Sequence, residues 1–319
     1  MNSVKLVLGT MTFGPQVTLE GSAAMVRCFL ASGNHEIDAA YVYNEGDTER
    51  ILGEVFEDKE LPAYSVATKV NPRITGKLDE AAITAQLEES LRRMRKESVD
   101  ILYLHFPDPS TDLEETLAAC ATLHERNLFG ELGMSNFPAW QVVDAWHICE
   151  AHGWPTPTVY QGLYNGLSRK VEAELFPALR ELGMRFYAYN PLAGGILAGK
   201  YSVFSEDPEP GRFTHRPNYK DRYWKKSFFD ALHALTTACE AEGISLVAAA
   251  FRWLAFHSAL NAEAGDGILL GASRLSQLEQ NISSIDAGPL PVSVAEAFET
   301  AWGAAMSDSP DYFRIAKKK

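Results

Sequence analysis

The runs Tyr64-Ser-Val-Ala-Thr-Lys69, Asp79–Arg93 and Val99-Asp-Ile-Leu-Tyr-Leu-His105 follow one another closely, and their reading decides the fold. The outer two are short and rich in apolar and β-branched residues, while the middle run repeats its apolar side chains with a helical period. Strand, helix and strand in that order predict a βα unit of a parallel sheet. The alternation extends both ways. Upstream stand strand Val4–Gly9, helix Leu19–Ala31, strand Glu36–Ala39 and helix Thr48–Phe56. Downstream come helix Leu113–Arg126, strand Gly130–Met134, helix Trp140–His152, strand Thr158–Gln161, helix Glu174–Leu182, strand Arg185–Tyr189 and a last strand, Gly267–Leu270. Roughly eight strands close a (β/α)8 TIM barrel. With no break in composition along the chain, the expected architecture is α/β, a single barrel domain over residues 1–319.

Two stretches depart from this beat. Lys200–Lys226, with Pro208, Pro210, Gly211 and Pro217, is too long for an ordinary connection and predicts a functional loop after strand 7. Beyond the last strand, Ser276–Ser284 and Ser293–Met306 predict extra C-terminal helices, and the chain closes with three lysines read as solvated.

Composition narrows the function. Hydrophobic residues at 46% and charged residues at 22% supply a large core. Lys and Arg total 29 against 42 Asp and Glu, and the resulting net charge of −13 opposes binding to nucleic acid or to an anionic membrane surface. Cys28, Cys120, Cys149 and Cys239 show no metal-ligand spacing and read as reduced, mostly buried thiols, and no metal is expected. The N-terminus shows no signal-peptide pattern. Arg252 and His257 interrupt the most apolar stretch, Leu246–Leu260, so a cytoplasmic protein is expected and the sequon at Asn281–Ser283 reads as incidental.

Chemistry in a TIM barrel is gathered at the C-terminal ends of its strands. That filter selects Asp38, Tyr43, Lys69 and His105. Each taken alone reads more readily as packing, but together they form a combination. A tyrosine phenol, with a pKa of about 10, is a poor acid at neutral pH. A neighbouring lysine ammonium favours the phenolate, and an aspartate holds the lysine. A neutral histidine beside that phenol can donate a hydrogen bond to a carbonyl oxygen.

Asp38-Ala-Ala-Tyr41-Val-Tyr43-Asn-Glu-Gly46, Lys69 after Val66-Ala67-Thr68, and Leu104-His105 resemble the catalytic motifs of the aldo-keto reductase superfamily, and the likeness spans essentially the whole chain. Gly133-Met134-Ser135-Asn136-Phe137, Gln161, Tyr189-Asn190-Pro191-Leu192-Ala193-Gly194-Gly195 and Ser273–Asn281 are similar to that family's cofactor contacts. Gly211-Arg212-Phe213, Asp221-Arg222-Tyr223-Trp224 and Asp311-Tyr312-Phe313-Arg314 are most like the aflatoxin-aldehyde and succinic semialdehyde reductase branch. The resemblance implies hydride transfer from NADPH to an aldehyde or ketone, with Tyr43 as acid, Lys69 and Asp38 tuning it and His105 orienting the carbonyl. It further implies that Ser135, Asn136 and Gln161 bind the carboxamide and that Tyr189 stacks on the nicotinamide, although Tyr189 reads equally well as core. The relatives are often dimers, so a homodimer is a further implication.

The Gly-rich turn around Asn190, Leu192, Gly194 and Lys200 can cradle a diphosphate with backbone N–H groups. Ser273, Arg274, Gln277, Gln280 and Asn281 are spaced to grip an adenine and its ribose phosphate, or else form a surface helix capped by Ser276. Family patterns carry a Lys where this chain has Gly271 and an Arg where it has Gln277. Arg274 and Lys200 are then the cations left for a 2′-phosphate, with NADPH the first expectation and NADH the second. Arg222 and Arg314 read by themselves as surface arginines, but the resemblance implies that they hold a substrate carboxylate or dicarbonyl, while Phe13, Tyr103, Phe106 and Trp224 either wall the pocket or belong to the core.

Other chemistries fit less well. Gly194 with Gly199-Lys200 begins a P-loop, but Tyr201 replaces the magnesium ligand. Gly133-x-Ser135 lacks the second Gly of a nucleophile elbow, since Phe137 stands there. A metal-dependent hydrolase using His105, Asp108 and Asp38 lacks clustered ligands. A cofactor-binding regulatory subunit without turnover is the alternative from another class, and the intact set of four residues argues against it.

Overall fold

A computed structural model describes residues 4–201, 203–205, 213 and 217–314. Pro208, Pro210, Gly211 and Arg212 of the long loop lie outside the described residues, as do the terminal lysines. Strands β1 (Lys5–Gly9), β2 (Glu36–Asp38), β3 (Ser65–Val70), β4 (Val99–Leu104), β5 (Phe129–Ser135), β6 (Pro157–Leu163), β7 (Arg185–Tyr189) and β8 (Gly267–Gly271) pair in sequence order. Parallel pairing of β8 with β1, from Lys5 opposite Gly267 to Gly9 opposite Gly271, closes the barrel.

Helices α1 (Leu19–Ala31), α2 (Asp47–Val55), α3 (Pro72–Thr75), α4 (Glu80–Met94), α5 (Leu113–Glu125), α6 (Ala139–His152) and α7 (Leu175–Glu181) alternate with the first seven strands. Helices α8 (Pro217–Tyr223), α9 (Lys226–Ala241) and α10 (Leu246–Phe256) lie between β7 and β8, and α11 (Leu275–Asp286) and α12 (Val292–Ala305) follow β8. Sequence reading assigned neither α9 nor α10. The apolar run weighed as a membrane candidate is largely α10, which starts at a Ser245 side-chain cap and buries Phe251, Trp253 and Leu254. Among the described residues no single helix is long and apolar enough to cross a membrane.

The period of two along each strand builds two cores. Val7, Ala67, Ile101, Tyr103, Val159, Tyr187 and Leu269 fill the barrel interior. Their strand neighbours Leu8, Val66, Leu102, Tyr160, Phe186 and Ile268 join the core beneath the helices. Leu102 is fully buried there, and truncating such a side chain to Ala costs about 2–5 kcal/mol. Gly133 is required by this packing, because a Cβ at that position would sit 2.4 Å from the Tyr103 ring. At the opposite rim the Tyr187 hydroxyl donates to Glu36 at 2.8 Å and Arg185 pairs with Glu131 at 2.7 Å, tying the barrel floor.

Candidate active site

Alternation along the strands puts Asp38, Lys69, Ser135, Gln161 and Tyr189 on the inner face, one layer above the interior core and at the C-terminal ends. Asp38 and Lys69 are buried. The Lys69 ammonium donates to both Asp38 oxygens at 2.7 Å and to the Ala39 carbonyl at 2.6 Å, and reaches the Tyr43 hydroxyl at 3.4 Å. Burial pulls Lys69 below the ordinary lysine range, and the Asp38 carboxylate opposes that pull. Gln161 adds a third hydrogen bond to this carboxylate, with its amide 2.8 Å from Asp38 Oδ1.

Tyr43 is half-buried on the turn after β2. Asn44 and Glu45 hold φ values of 50° and 57°, and the Asn44 amide pins the turn to the Met11 and Phe13 carbonyls at 2.8 and 2.9 Å. Gly46, at φ 90°, is needed both for its backbone and for space, since a Cβ would lie 2.5 Å from Arg93. Arg93 is anchored to the Tyr41 carbonyl and to Glu49, both at 3.1 Å, and Glu49 accepts from Thr68 beside Lys69. One polar network therefore runs from β3 to the turn that carries Tyr43.

His105 follows β4 and meets the Tyr43 ring edge-on, with centroids 6.1 Å apart. Burial, then the charges of Lys69 and Arg73, push its imidazole well below the ordinary value, which leaves the ring neutral. Asn136 binds the His105 carbonyl at 2.9 Å and accepts from the Tyr189 hydroxyl at 2.7 Å. The Tyr189 phenol, pushed up to about 12 mainly by burial, stays protonated for that bond.

A model of the aldo/keto reductase family matches residues 5–302. The chain belongs to that family. It is 44% identical to "Aflatoxin B1 aldehyde reductase member 2" of Mus musculus over 97% of this chain and 87% of the relative. It is likewise 44% identical to "Aldo-keto reductase family 7 member A3" of Homo sapiens, over 97% of this chain and 96% of the relative. This aldo-keto reductase is therefore a carbonyl-reducing oxidoreductase.

The remaining candidates divide. Among the cofactor candidates of the reductase, Ser135, Asn136 and Gln161 are buried around the centre. Two polar groups of these candidates lack partners among the described residues and suit a nucleotide of the family's NAD(P)H type. The buried Asn190 amide nitrogen makes no hydrogen bond, and no described residue hydrogen-bonds the amide of Asn281, itself only 5% exposed. In the turn after β7, Gly194 and Gly195 take φ values of 70° and 112°. The N–H groups of Ala193, Gly195 and Leu197 already donate to Asn190 and Leu192, so the cradle offers fewer free donors than the sequence suggests.

Lys200 and Arg274 are exposed, as is Gln280. Arg274, not Ser276, stands at the N-cap position of helix α11 and makes no side-chain cap bond, while the Gln277 side chain folds back to accept from the Ser273 N–H and hydroxyl at 3.1 Å.

Two expected pocket walls belong to the core instead. Tyr103 is fully buried one inward step below His105, and Phe13 is fully buried beneath the Tyr43 turn. Trp224 packs among Tyr201, Phe213 and Phe229. Arg314 donates its backbone N–H to the Asn136 carbonyl at 3.0 Å, and its guanidinium lies 5.7 Å from the Phe106 ring, which stacks on His105. Arg73, absent from the sequence candidates, covers the same ring at 4.1 Å and is held below the ordinary guanidinium range by burial and by the like charge of Arg222. None of these three arginines has a carboxylate partner among the described residues. Among the described residues no group of three His, Cys, Asp or Glu side chains is arranged to hold a metal ion.

Proposed function

We propose that this protein reduces an aldehyde or ketone to the alcohol with NADPH in the cytoplasm, with Tyr43 as general acid. The observation that carries this reading is one ammonium, Lys69, shared between the buried Asp38 carboxylate and the Tyr43 phenol. A reduced nicotinamide, held by the residues named below, would supply the hydride to the carbonyl carbon. As negative charge gathers on the substrate oxygen, Tyr43 releases its proton to it, and Lys69 stabilises the phenolate left behind. Neutral His105 donates a hydrogen bond to the same oxygen and keeps its proton. Asp38 holds Lys69 in place, and solvent returns the proton to Tyr43 after the alcohol leaves.

In this reading Ser135, Asn136 and Gln161 take the carboxamide, and Tyr189, steadied by Asn136, offers its ring to the nicotinamide. Asn190 and the turn from Leu192 to Lys200, including Gly194, take the diphosphate. Ser273, Arg274, Gln277, Gln280 and Asn281 take the adenosine end, with Arg274 and Lys200 supplying cations for a 2′-phosphate. Arg222 and Arg314 hold a substrate carboxylate, with Arg73 beside them. The relatives named for aldehyde reduction support the reaction class.

Tyr43→Phe, assayed by consumption of NADPH with a panel of neutral and acidic aldehydes, should lower kcat about 10²–10⁴-fold while the fluorescence titration of NADPH stays unchanged. Retained turnover in that variant refutes the assignment of the acid.

A further inference from the structure

Asn71 lies two residues after Lys69, at the N-cap of α3, and is only 2% exposed. Its position is held from two sides. The backbone N–H and carbonyl exchange hydrogen bonds with the Gln86 side chain on α4, at 2.8 and 3.2 Å. The side-chain oxygen accepts the Arg73 backbone N–H at 2.9 Å. A backbone N–H can only donate, so this contact fixes which end of the amide is oxygen and which is nitrogen. The nitrogen end therefore faces His105, where it lies 3.2 Å from Nδ1. An amide NH2 can only donate, so Nδ1 must accept and the single proton of a neutral imidazole must sit on Nε2.

Resting on the reading of the site given above, we infer that Asn71 is a positioning residue that holds His105 in its Nε2–H tautomer, so that the histidine presents a donor to the carbonyl oxygen. No described residue hydrogen-bonds Nε2, which leaves that edge for substrate. Among the described residues, the charged and titratable groups that act on or touch the ring are Lys69 on β3, Arg73 on α3 and Tyr43 after β2. Both cations oppose a second proton on the imidazole, so a neutral ring with a chosen tautomer is the state this surrounding selects. With the other tautomer a bare Nε2 would face the oxygen, lone pair against lone pair.

Asn71→Asp separates this role from helix capping, because a carboxylate oxygen still accepts the Arg73 N–H. Its other oxygen would accept rather than donate, drawing the imidazole proton to Nδ1 and favouring the doubly protonated ring. Nitrogen-15 NMR of histidine-labelled protein reads the tautomer directly, with the His105 signals identified by their loss in His105→Gln. Wild type should show the proton on Nε2. N71D should show it on Nδ1 near neutral pH and on both nitrogens at lower pH. The kcat/KM of the variant should fall about 10²-fold at neutral pH and recover as the pH is lowered, a limb that wild type lacks. A proton on Nδ1 in wild type, or an unmoved tautomer in N71D, overturns the inference. A moved tautomer with unchanged kcat/KM overturns the contact between His105 and the carbonyl. Absence of carbonyl turnover in wild type overturns the reading of the site instead, and the NMR result then decides the tautomer alone.

Discussion

Replacing Lys69 by Met removes the one positive charge on which the site is built. A unit charge 3.4 Å from the phenol oxygen interacts with a phenolate there by about 5 kcal/mol at an effective dielectric of about 20. The Asp38 carboxylate, 2.7 Å from the same ammonium, offsets much of this. What remains still favours the phenolate over the phenol. K69M should therefore move the alkaline limb of kcat upward and lower kcat about 10²–10⁴-fold, since the acid is both weaker and less well placed. It also leaves Asp38 buried without a counter-charge, with only the Gln161 amide as a side-chain donor at 2.8 Å, and a pair broken in this way costs about 3–5 kcal/mol of stability. The double variant D38N/K69M removes the stranded charge, so urea unfolding should show much of the stability returning while turnover does not. Cofactor consumption and equilibrium unfolding on the same preparations separate the two losses. Wild-type turnover in K69M with an unshifted pH profile would refute the reasoning, because Tyr43 would then be acidified by something other than this ammonium.

Arg222→Ala and Arg314→Ala should each raise KM for carboxylate-bearing aldehydes by about tenfold while leaving neutral aldehydes nearly unaffected, as loss of one charge-assisted hydrogen bond implies; equal effects on both substrate classes would contradict the proposal that these arginines hold a substrate carboxylate. Glu89 is held at about 2, chiefly by its hydrogen bond with Arg92 and then by Arg93 against the opposing pull of burial. A depressed carboxylate contributes stability above its ordinary value of 4.5 that is lost as pH falls toward about 2. Glu89→Gln should thus flatten the acid side of the stability curve over that window, and an unchanged slope in acid unfolding would count against the pair.

Much of the fold was legible because it rests on local periods. Runs of period two and 3.6 report which side chains a strand or helix can bury, and the eight strands fall within about two residues of where that pattern puts them. The filter of strand ends also found Asp38, Lys69 and His105, since a closed parallel barrel has only one face where inward side chains meet a cavity. Helices α9 and α10 escaped because they interrupt the βα beat. Asn71 and Arg73 escaped although both follow β3 at the favoured end, because neither is part of a recognisable acid–base set.

What the linear chain determined by itself is the family, the barrel and the four residues proposed as an acid–base set, each carried by residues close together in sequence or by a repeating pattern. Height within the barrel was decided only by tertiary structure. Tyr103 lies a layer below His105 and is core, and Phe13 supports the Tyr43 turn through its carbonyl. Tertiary structure also decided that Gln161 serves Asp38 across 123 positions of chain, that Arg73 and Arg314 share the Phe106 ring, and that Arg222 comes near enough to act on Arg73. Such meetings depend on barrel closure and strand register, which bring distant residues within hydrogen-bond reach and leave no periodic trace in any single segment.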